Sequence, residues 1–380
     1  MRFVRTFIWV LIISGVLAIG GFMTVGCSSF GTLPSDESVE TYHASPNYDM
    51  NRKTFVNRRP AILDEMRKRT FTFSGIKEWL LGGDADRVPS TVLPDVKTDF
   101  DLFKQPAEDL KVVWFGHSSV LMNFDGKTLL LDPVLSHSTG PFGFMKRFQK
   151  PVIEFSELPP IDVILISHDH YDHLDMDTIK FFKDKKTRFI VPLGVGSHLK
   201  GWGIGEERIK ELDWWQSARF EDIQIIATPA QHFSGRSFGN QNKTLWASWV
   251  IRNDKHNVYF CADSGYDTHF KDIGEKYGPF DLAFIENGQY NEKWREVHLL
   301  PEESIQAYHD LKAKKYFPIH WGMFNLALHS WYEPIENTAK AAEKNNIHLI
   351  VPKIGELVTV NNDYITSYWW KQMFNAKQSP

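Results

Sequence analysis

The sequence predicts a layered α/β fold in one main domain, and three observations support this prediction. Residues 161–166 are apolar except for Asp162, which is typical of a strand buried on both faces. Two further apolar runs, 119–124 and 127–131, are joined by Asp125-Gly126, which is a strong hairpin signal. Short strand patterns later in the chain alternate with helical ones. Hairpins followed by βα units favour sheets covered by helices.

The individual elements follow in chain order. Residues 60–68 predict a short helix, because Pro60 suits a first turn and Ile62, Leu63 and Met66 recur at helical spacing. Residues 112–115 predict the first strand of the main domain. Further strands are predicted at 188–191, 223–227, 247–251, 258–261, 282–285 and 316–319. Further helices are predicted at 176–183, 301–313 and 335–344.

Composition excludes several classes of protein. The 380 residues carry a formal net charge of −4, so no basic excess is available to hold a nucleic-acid backbone, and no nucleic-acid partner is expected. The two cysteines cannot build a disulfide scaffold or a cysteine-based zinc finger. A content of 25 Gly and 19 Pro is ordinary for a globular chain and excludes long low-complexity tracts.

The N-terminus is predicted to be a targeting segment. Arg2 and Arg5 precede an uncharged run, 7–26, which is typical of a secretory signal or a single membrane span. The run ends in Thr24-Val25-Gly26-Cys27, which resembles the lipobox of bacterial lipoproteins. The resemblance implies a signal peptide over 1–27 and a protein anchored to the bacterial cell envelope by a lipid on Cys27, in the outer membrane if the cell is Gram-negative. The alternative is an uncleaved N-terminal membrane anchor.

Three regions are predicted after this segment. Residues 28–50 are polar without an apolar period and are interpreted as a tether. Residues 51–110 are interpreted as an N-terminal extension packed on the core, and 111–375 as the main domain.

The most informative motif lies directly after the apolar run 161–166. Three histidines and two aspartates fall within six residues, in the order His168, Asp169, His170, Asp172 and His173. Imidazole and carboxylate groups suit zinc and similar divalent metals. Three further candidates each follow a predicted strand, at the sheet edge where open α/β sheets place their sites, namely His232, Asp263 and His320.

This pattern resembles the signature of the metallo-β-lactamase superfamily, over roughly residues 110–360. The resemblance implies a four-layered αβ/βα sandwich with two Zn²⁺ ions, other divalent metals being alternatives. It assigns one ion to His168, His170 and His232, and the other to Asp172, His173 and His320. Asp263 is implied to bridge both ions and, like Asp172, to take part in catalysis.

Further motifs resemble one branch of that superfamily, the N-acylphosphatidylethanolamine-hydrolysing phospholipases D and their bacterial relatives. They include the segments 228–232 (Thr-Pro-Ala-Gln-His), 301–303 (Pro-Glu-Glu) and 320–322 (His-Trp-Gly). The segment 286–290 (Glu-Asn-Gly-Gln-Tyr) departs from the apolar run of the animal enzymes, and this leaves the exact substrate open. The resemblance implies that His298 lies beside the phosphate as a catalytic residue, and that His117 lies in the outer shell of the metals. For each, a histidine merely packed in its loop is the alternative.

The implied activity is that of a membrane-tethered dinuclear zinc phosphodiesterase acting on glycerophospholipids or their N-acylated forms. Two Zn²⁺ ions, two carboxylates and a bridging hydroxide leave a charge of about +1, which attracts a monoanionic phosphodiester for attack by that hydroxide. Membrane lipids are the expected partners, and the aromatic and cationic loop 139–151 suits contact with lipid headgroups, unless its aromatic rings are tucked in. A lactonase or another ester hydrolase of the same fold is the second possibility. A non-enzymatic envelope metalloprotein is the third.

Overall fold

A computed structural model describes residues 28–70, 72–73, 77–78, 82–237, 239–361 and 363–375. The predicted signal segment 1–27, including Cys27, lies outside the described residues. Among the helices that the described residues form, none is long and apolar enough to cross a membrane.

Two seven-stranded sheets form the centre of the molecule. In spatial order, the first sheet contains β10 (Ile209–Leu212), β9 (Arg188–Pro192), β8 (Val163–Leu165), β5 (Lys127–Leu131), β4 (Val120–Phe124), β3 (Lys111–Trp114) and β18 (Leu357–Thr359). The second contains β11 (Ser217–Phe220), β12 (Ile223–Thr228), β13 (Ser248–Arg252), β14 (Asn257–Phe260), β15 (Leu282–Glu286), β16 (Lys315–Ile319) and β17 (His348–Leu349). Each sheet is antiparallel over one half and parallel over the other. Two small ribbons pair β1 (Tyr48–Asp49) with β2 (Thr54–Phe55), and β6 (Ser138–Thr139) with β7 (Met145–Lys146).

Helices accompany both sheets. They are α1 (Asp36–Tyr42), α2 (Ile62–Thr70), α3 (Phe100–Lys104), α4 (Met176–Phe181), α5 (Gly196–Gly201), α6 (His269–Tyr277), α7 (Pro301–Asp310), α8 (Glu333–Lys344) and α9 (Trp369–Asn375). The local sequence explains where two of these helices begin. Asp175 caps α4 by accepting the backbone N–H of Thr178, and Pro301 occupies the first turn of α7.

The strand period of two residues explains the layers. In β3, Val112 and Trp114 face the core between the sheets, whereas Val113 faces an outer cluster that also contains Ile179 and Leu199 of the helices α4 and α5. The second sheet packs in the same way against α6, α7 and α8. The structure therefore confirms the predicted four-layered αβ/βα sandwich.

Residues 28–50 do not form the predicted tether. Ser35 caps α1, and Tyr42 at its end is 1% exposed and packs its ring 5.3 Å from that of Phe55. The backbone N–H of Thr32 donates to Nδ1 of His198, at 3.0 Å. Buried aromatic residues, rather than an apolar period, hold this segment on the domain.

The predicted helix at 60–68 is confirmed as α2, which buries Ile62, Leu63 and Met66 against Val297. The strands predicted from 112 to 319 are also confirmed, with ends shifted by one or two residues. The helix predicted at 301–313 ends earlier, at Asp310.

Candidate metal centre

The candidate ligands meet at one edge of both sheets. His168 follows β8 by three residues and Asp263 follows β14 by three, while His320 comes directly after β16. His232 follows β12 by four residues. Because neighbouring parallel strands end at the same edge, residues far apart in sequence converge there.

The first group contains three histidines and Asp263. Nδ1 of His170 lies 2.9 Å from Nε2 of His168 and 3.2 Å from Nε2 of His232. The Asp263 carboxylate lies 3.8 Å from His168 and 3.6 Å from His232. The candidate ligand atoms of these residues all lie within 4.8 Å of one another. The structure thus brings together the three histidines that were assigned to one ion.

The second group contains Asp172, His173, His320 and His117, again within 4.8 Å of one another. Oδ2 of Asp172 lies 3.6 Å from Nε2 of His173 and 3.5 Å from Nε2 of His320. The Asp263 carboxylate approaches both histidines to 3.1 Å, so this one side chain contacts both groups.

In four of the candidate histidines, the ring nitrogen that points away from the centre contacts another group of the protein. Such contacts fix the ring orientation and the tautomer of metal-ligating histidines. The pairs are His173 Nδ1 with Asp132 at 2.8 Å, His320 Nδ1 with Glu286 at 3.1 Å, His232 Nδ1 with the Val297 carbonyl at 3.1 Å, and His168 Nδ1 with Ser167 Oγ at 2.9 Å. Nε2 of each of these four rings is left to face the centre.

Several polar atoms at the centre fit a bound cation. Nε2 of His173, Nε2 of His320 and Oδ1 of Asp263 are buried and make no hydrogen bond of good geometry among the described residues, although the Asp263 carboxylate lies 3.1 Å from both nitrogens. Buried polar atoms of this kind are costly unless a partner compensates them. Divalent cations would satisfy all three, and the nitrogen and oxygen donors are those that zinc prefers.

Burial and mutual contacts shift the pKa values of the groups at the centre. Burial, reinforced by neighbouring imidazoles, keeps the pKa of His168 and of His232 well below the usual value. Burial opposes ionisation of Asp172 and Asp263 as well, but nearby histidines hold the pKa of both carboxyls well below their usual range. Burial favours the neutral form of the His173 imidazole, but the carboxylates of Asp263 and Asp172 outweigh burial and raise the pKa of His173 to about 10. Positive charge therefore balances the ionised carboxylates at the centre; protonated His173 supplies it here, and a bound divalent cation would supply it in its place.

His298 lies at the rim of the centre. Its side chain is 14% exposed, and its ring stacks on that of His320 with centroids 5.0 Å apart. Its Nδ1 lies 2.9 Å from Oε2 of Glu286, whose side chain is fully buried. Oε1 of Glu286 accepts the backbone N–H groups of Ser264 and Leu299. The catalytic role of His298 stays a prediction, but the structure provides it with a fixed carboxylate partner.

His117 is buried at the other side of the centre. Its Nε2 lies 2.9 Å from Oδ2 of Asp172, and its ring lies 4.2 Å from that of His320. Burial, together with His320, lowers the pKa of His117 to about 3, so this ring is neutral at physiological pH. Its assignment to the outer shell stays a prediction, because its position within the second group also suits a direct ligand.

Two supporting carboxylates were not identified from the sequence as site residues. Asp132 comes directly after β5, accepts the backbone N–H and hydroxyl of Ser167, and contacts His173. Glu286 is the last residue of β15. The rule that found His320, a polar residue at the end of an apolar strand, applies equally to both.

The segment that carries the candidate ligands matches a known protein family. Residues 127–321 match the model of the β-lactamase superfamily domain, which is about half of the chain. The chain belongs to the metallo-β-lactamase superfamily. The predicted family and the assignment to metal-dependent hydrolases are therefore confirmed.

This superfamily member is also similar in sequence to three individual proteins. An uncharacterized protein of Mycobacterium tuberculosis is 38% identical over 333 residues, covering 86% of this chain and 88% of the relative. N-acyl-phosphatidylethanolamine-hydrolyzing phospholipase D 1 of Caenorhabditis elegans is 35% identical over 237 residues, covering 59% and 67%. Outer membrane protein RomA of Klebsiella pneumoniae is 44% identical over 102 residues, covering 27% and 76%.

Solved structures support the fold. Igni18, a metallo hydrolase of Ignicoccus hospitalis, superposes with a TM-score of 0.52 at 21% identity, covering 66% of this chain and 97% of that one. At this identity the likeness concerns the metallo-β-lactamase fold alone.

Proposed function

We propose that this protein is a dinuclear metal phosphodiesterase of the phospholipase D type that acts on glycerophospholipids, including N-acylated ones. The observation that carries the proposal is the pair of ligand groups joined by Asp263, with His298 and Glu286 at the rim. The similarity to the Caenorhabditis elegans phospholipase D supports phospholipids as the substrate class.

The proposed metals are two zinc ions. His168, His170 and His232 would hold one ion, Asp172, His173 and His320 would hold the other, and Asp263 would contact both. When bound, such ions lower the pKa of a coordinated water to about 7 and offset the charge on a phosphoryl group. The protein's own part is to fix these ligands through Asp132, Glu286, Ser167 and the Val297 carbonyl.

His298 is proposed to act on the leaving group. The Glu286 carboxylate accepts a hydrogen bond from Nδ1–H of His298, so the ring is oriented with Nε2 away from the carboxylate. A proton on Nε2 would be donated to the headgroup oxygen as its bond to phosphorus breaks. Its ring lies 5.2 Å from that of His232 and 5.0 Å from that of His320, close to both ligand groups.

The location proposed is the bacterial cell envelope, with a lipid on Cys27 as the anchor. The relative RomA is named as an outer membrane protein, which supports an envelope location at the level of the family. The sequence motif 24–27 supports lipidation as the means of attachment.

The test uses full-length protein purified in detergent with its metal content measured. We expect turnover of phosphatidylethanolamine or its N-acylated form, with phosphatidic acid and the free headgroup alcohol as products. In ¹⁸O-labelled water, the label should enter phosphatidic acid, because water attacks phosphorus and the headgroup oxygen leaves. An Asp263→Asn variant is the matched control without activity. Turnover of lactones or nitrocefin, with none of phospholipids, would instead assign another hydrolase reaction to this site.

A further inference from the structure

Hydrogen bonds to the backbone carbonyls of Ser28 and Ser29 fix the first described residues to the domain, and we call these contacts the clamp. The Ser28 carbonyl accepts Nε1–H of Trp202 at 2.8 Å. The Ser29 carbonyl accepts Nε–H and Nη2–H of Arg236 at 3.0 and 2.7 Å, and Arg236 is itself only 4% exposed. An anchor on Cys27 would therefore be separated from the folded surface by no more than one residue. The domain could not drift far from the bilayer or rotate freely above it.

An aromatic loop lies beside this clamp, between β6 and β7. Phe142 has φ +57° and lies between Gly140 and Gly143, which also have positive φ. Phe142 is 49% exposed and Phe144 is 61% exposed. A surface cavity of about 310 Å³ is lined by Ser29, Arg236 and Phe142 among others, so the loop and the clamp share one surface.

The same loop contacts the metal motif. The Thr139 hydroxyl donates to the carbonyl of Tyr171 at 3.0 Å, and the Phe144 ring lies edge-on to the Tyr171 ring at 5.8 Å. Tyr171 stands between His170 and Asp172 in the sequence. His170 is half-buried whereas the other members of the first ligand group are buried, so the first group comes nearest to the surface at His170.

We propose that Phe142 and Phe144 insert into the lipid bilayer, and that the clamp at Ser28 and Ser29 turns the His170 side of the metal centre toward the membrane. Exposed aromatic rings are costly in water and gain free energy at the membrane interface. The occupant of this surface is a lipid bilayer, since the chain enters the domain here at Ser28, directly after the proposed lipid on Cys27. This inference rests on the proposed lipid anchor, and it adds an orientation that brings phospholipid headgroups to the site.

The test places an environment-sensitive fluorophore at single cysteines, Phe142→Cys and Phe144→Cys, in the full-length protein. Cys261 is buried, and an acylated Cys27 is blocked, so labelling is selective. The protein is reconstituted into vesicles of phosphatidylethanolamine and phosphatidylglycerol. We expect a blue shift at both positions and quenching by lipids that carry nitroxide on their acyl chains.

Lys186→Cys is the matched control, because Lys186 is exposed and precedes β9 at the edge opposite the metal centre. Its fluorophore should stay unshifted and unquenched. Absence of quenching at both loop positions, or equal quenching at Lys186, would overturn the inference. Labelling of the protein without an added cysteine would instead reveal a free Cys27 and refute the lipid anchor, independently of whether the loop inserts.

Discussion

Oε2 of Glu286 lies 2.9 Å from Nδ1 of His298 and 3.1 Å from Nδ1 of His320. One fully buried carboxylate therefore orients both the proposed proton donor and a proposed metal ligand. Backbone N–H groups of Ser264 and Leu299 hold its other oxygen, so the carboxylate has little freedom to turn. The proposed chemistry depends on this support as much as on the ligands.

The variant Glu286→Gln keeps the shape of the side chain and removes its charge. We expect kcat to fall by about 10–100-fold, because residues that orient metal ligands and catalytic histidines have effects of this size. Metal analysis beside steady-state kinetics checks the result. An unchanged kcat with full metal content would show that the contacts of Glu286 do not matter for catalysis.

The variant His298→Ala separates proton donation from metal binding. We expect both metals to remain and kcat on phospholipid to fall by roughly 10²–10⁴, the usual effect of removing a general acid. A nitrophenyl phosphodiester, whose leaving group needs no proton, should be hydrolysed at a rate close to that of the unmodified enzyme. The matched variant His320→Ala should lose metal and activity together. Loss of metal from His298→Ala would instead make His298 a ligand.

The variant Asp132→Ala removes the partner of His173 and of Ser167. We expect metal affinity to fall by about 10–100-fold at the second group, since the imidazole loses the carboxylate that orients it. Metal titration followed by calorimetry measures the change. Equal weakening at the group containing His168, His170 and His232 would point to general unfolding rather than to a local effect.

The variant Cys27→Ala tests the anchor. We expect incorporation of labelled fatty acid to be abolished and the protein to be released from membranes or left unprocessed. Cys261→Ala is the matched control and should keep its label, because Cys261 is buried inside the domain. Unchanged labelling of Cys27→Ala would refute lipidation and favour an uncleaved N-terminal anchor.

The fold that the sequence predicts is confirmed, and the candidate ligands, which stay a prediction, follow from the same physical reasoning. His232, Asp263 and His320 each follow a strand whose apolar run is long enough to recognise, and strand ends converge at one edge of a sheet. Glu286 satisfies the same strand-end rule as the last residue of β15, but only the folded chain shows which histidines it faces.

Other elements were missed because their stability comes from tertiary contacts. β11 (Ser217–Phe220) alternates exposed and half-buried residues and carries only a weak apolar signal. The segment 28–50 has no apolar period, and its folding depends on Tyr42 packing against Phe55 and on the clamp at Ser28. Such contacts join residues that are distant in sequence, so local patterns do not reveal them.

The most direct test of the central claim is anomalous diffraction from crystals of the purified protein, measured at the absorption edge of its metal. We predict two peaks, one among His168, His170 and His232 and the other among Asp172, His173 and His320, with the Asp263 carboxylate between them. A single peak in fully active protein, or two peaks without Asp263 between them, would contradict the dinuclear centre.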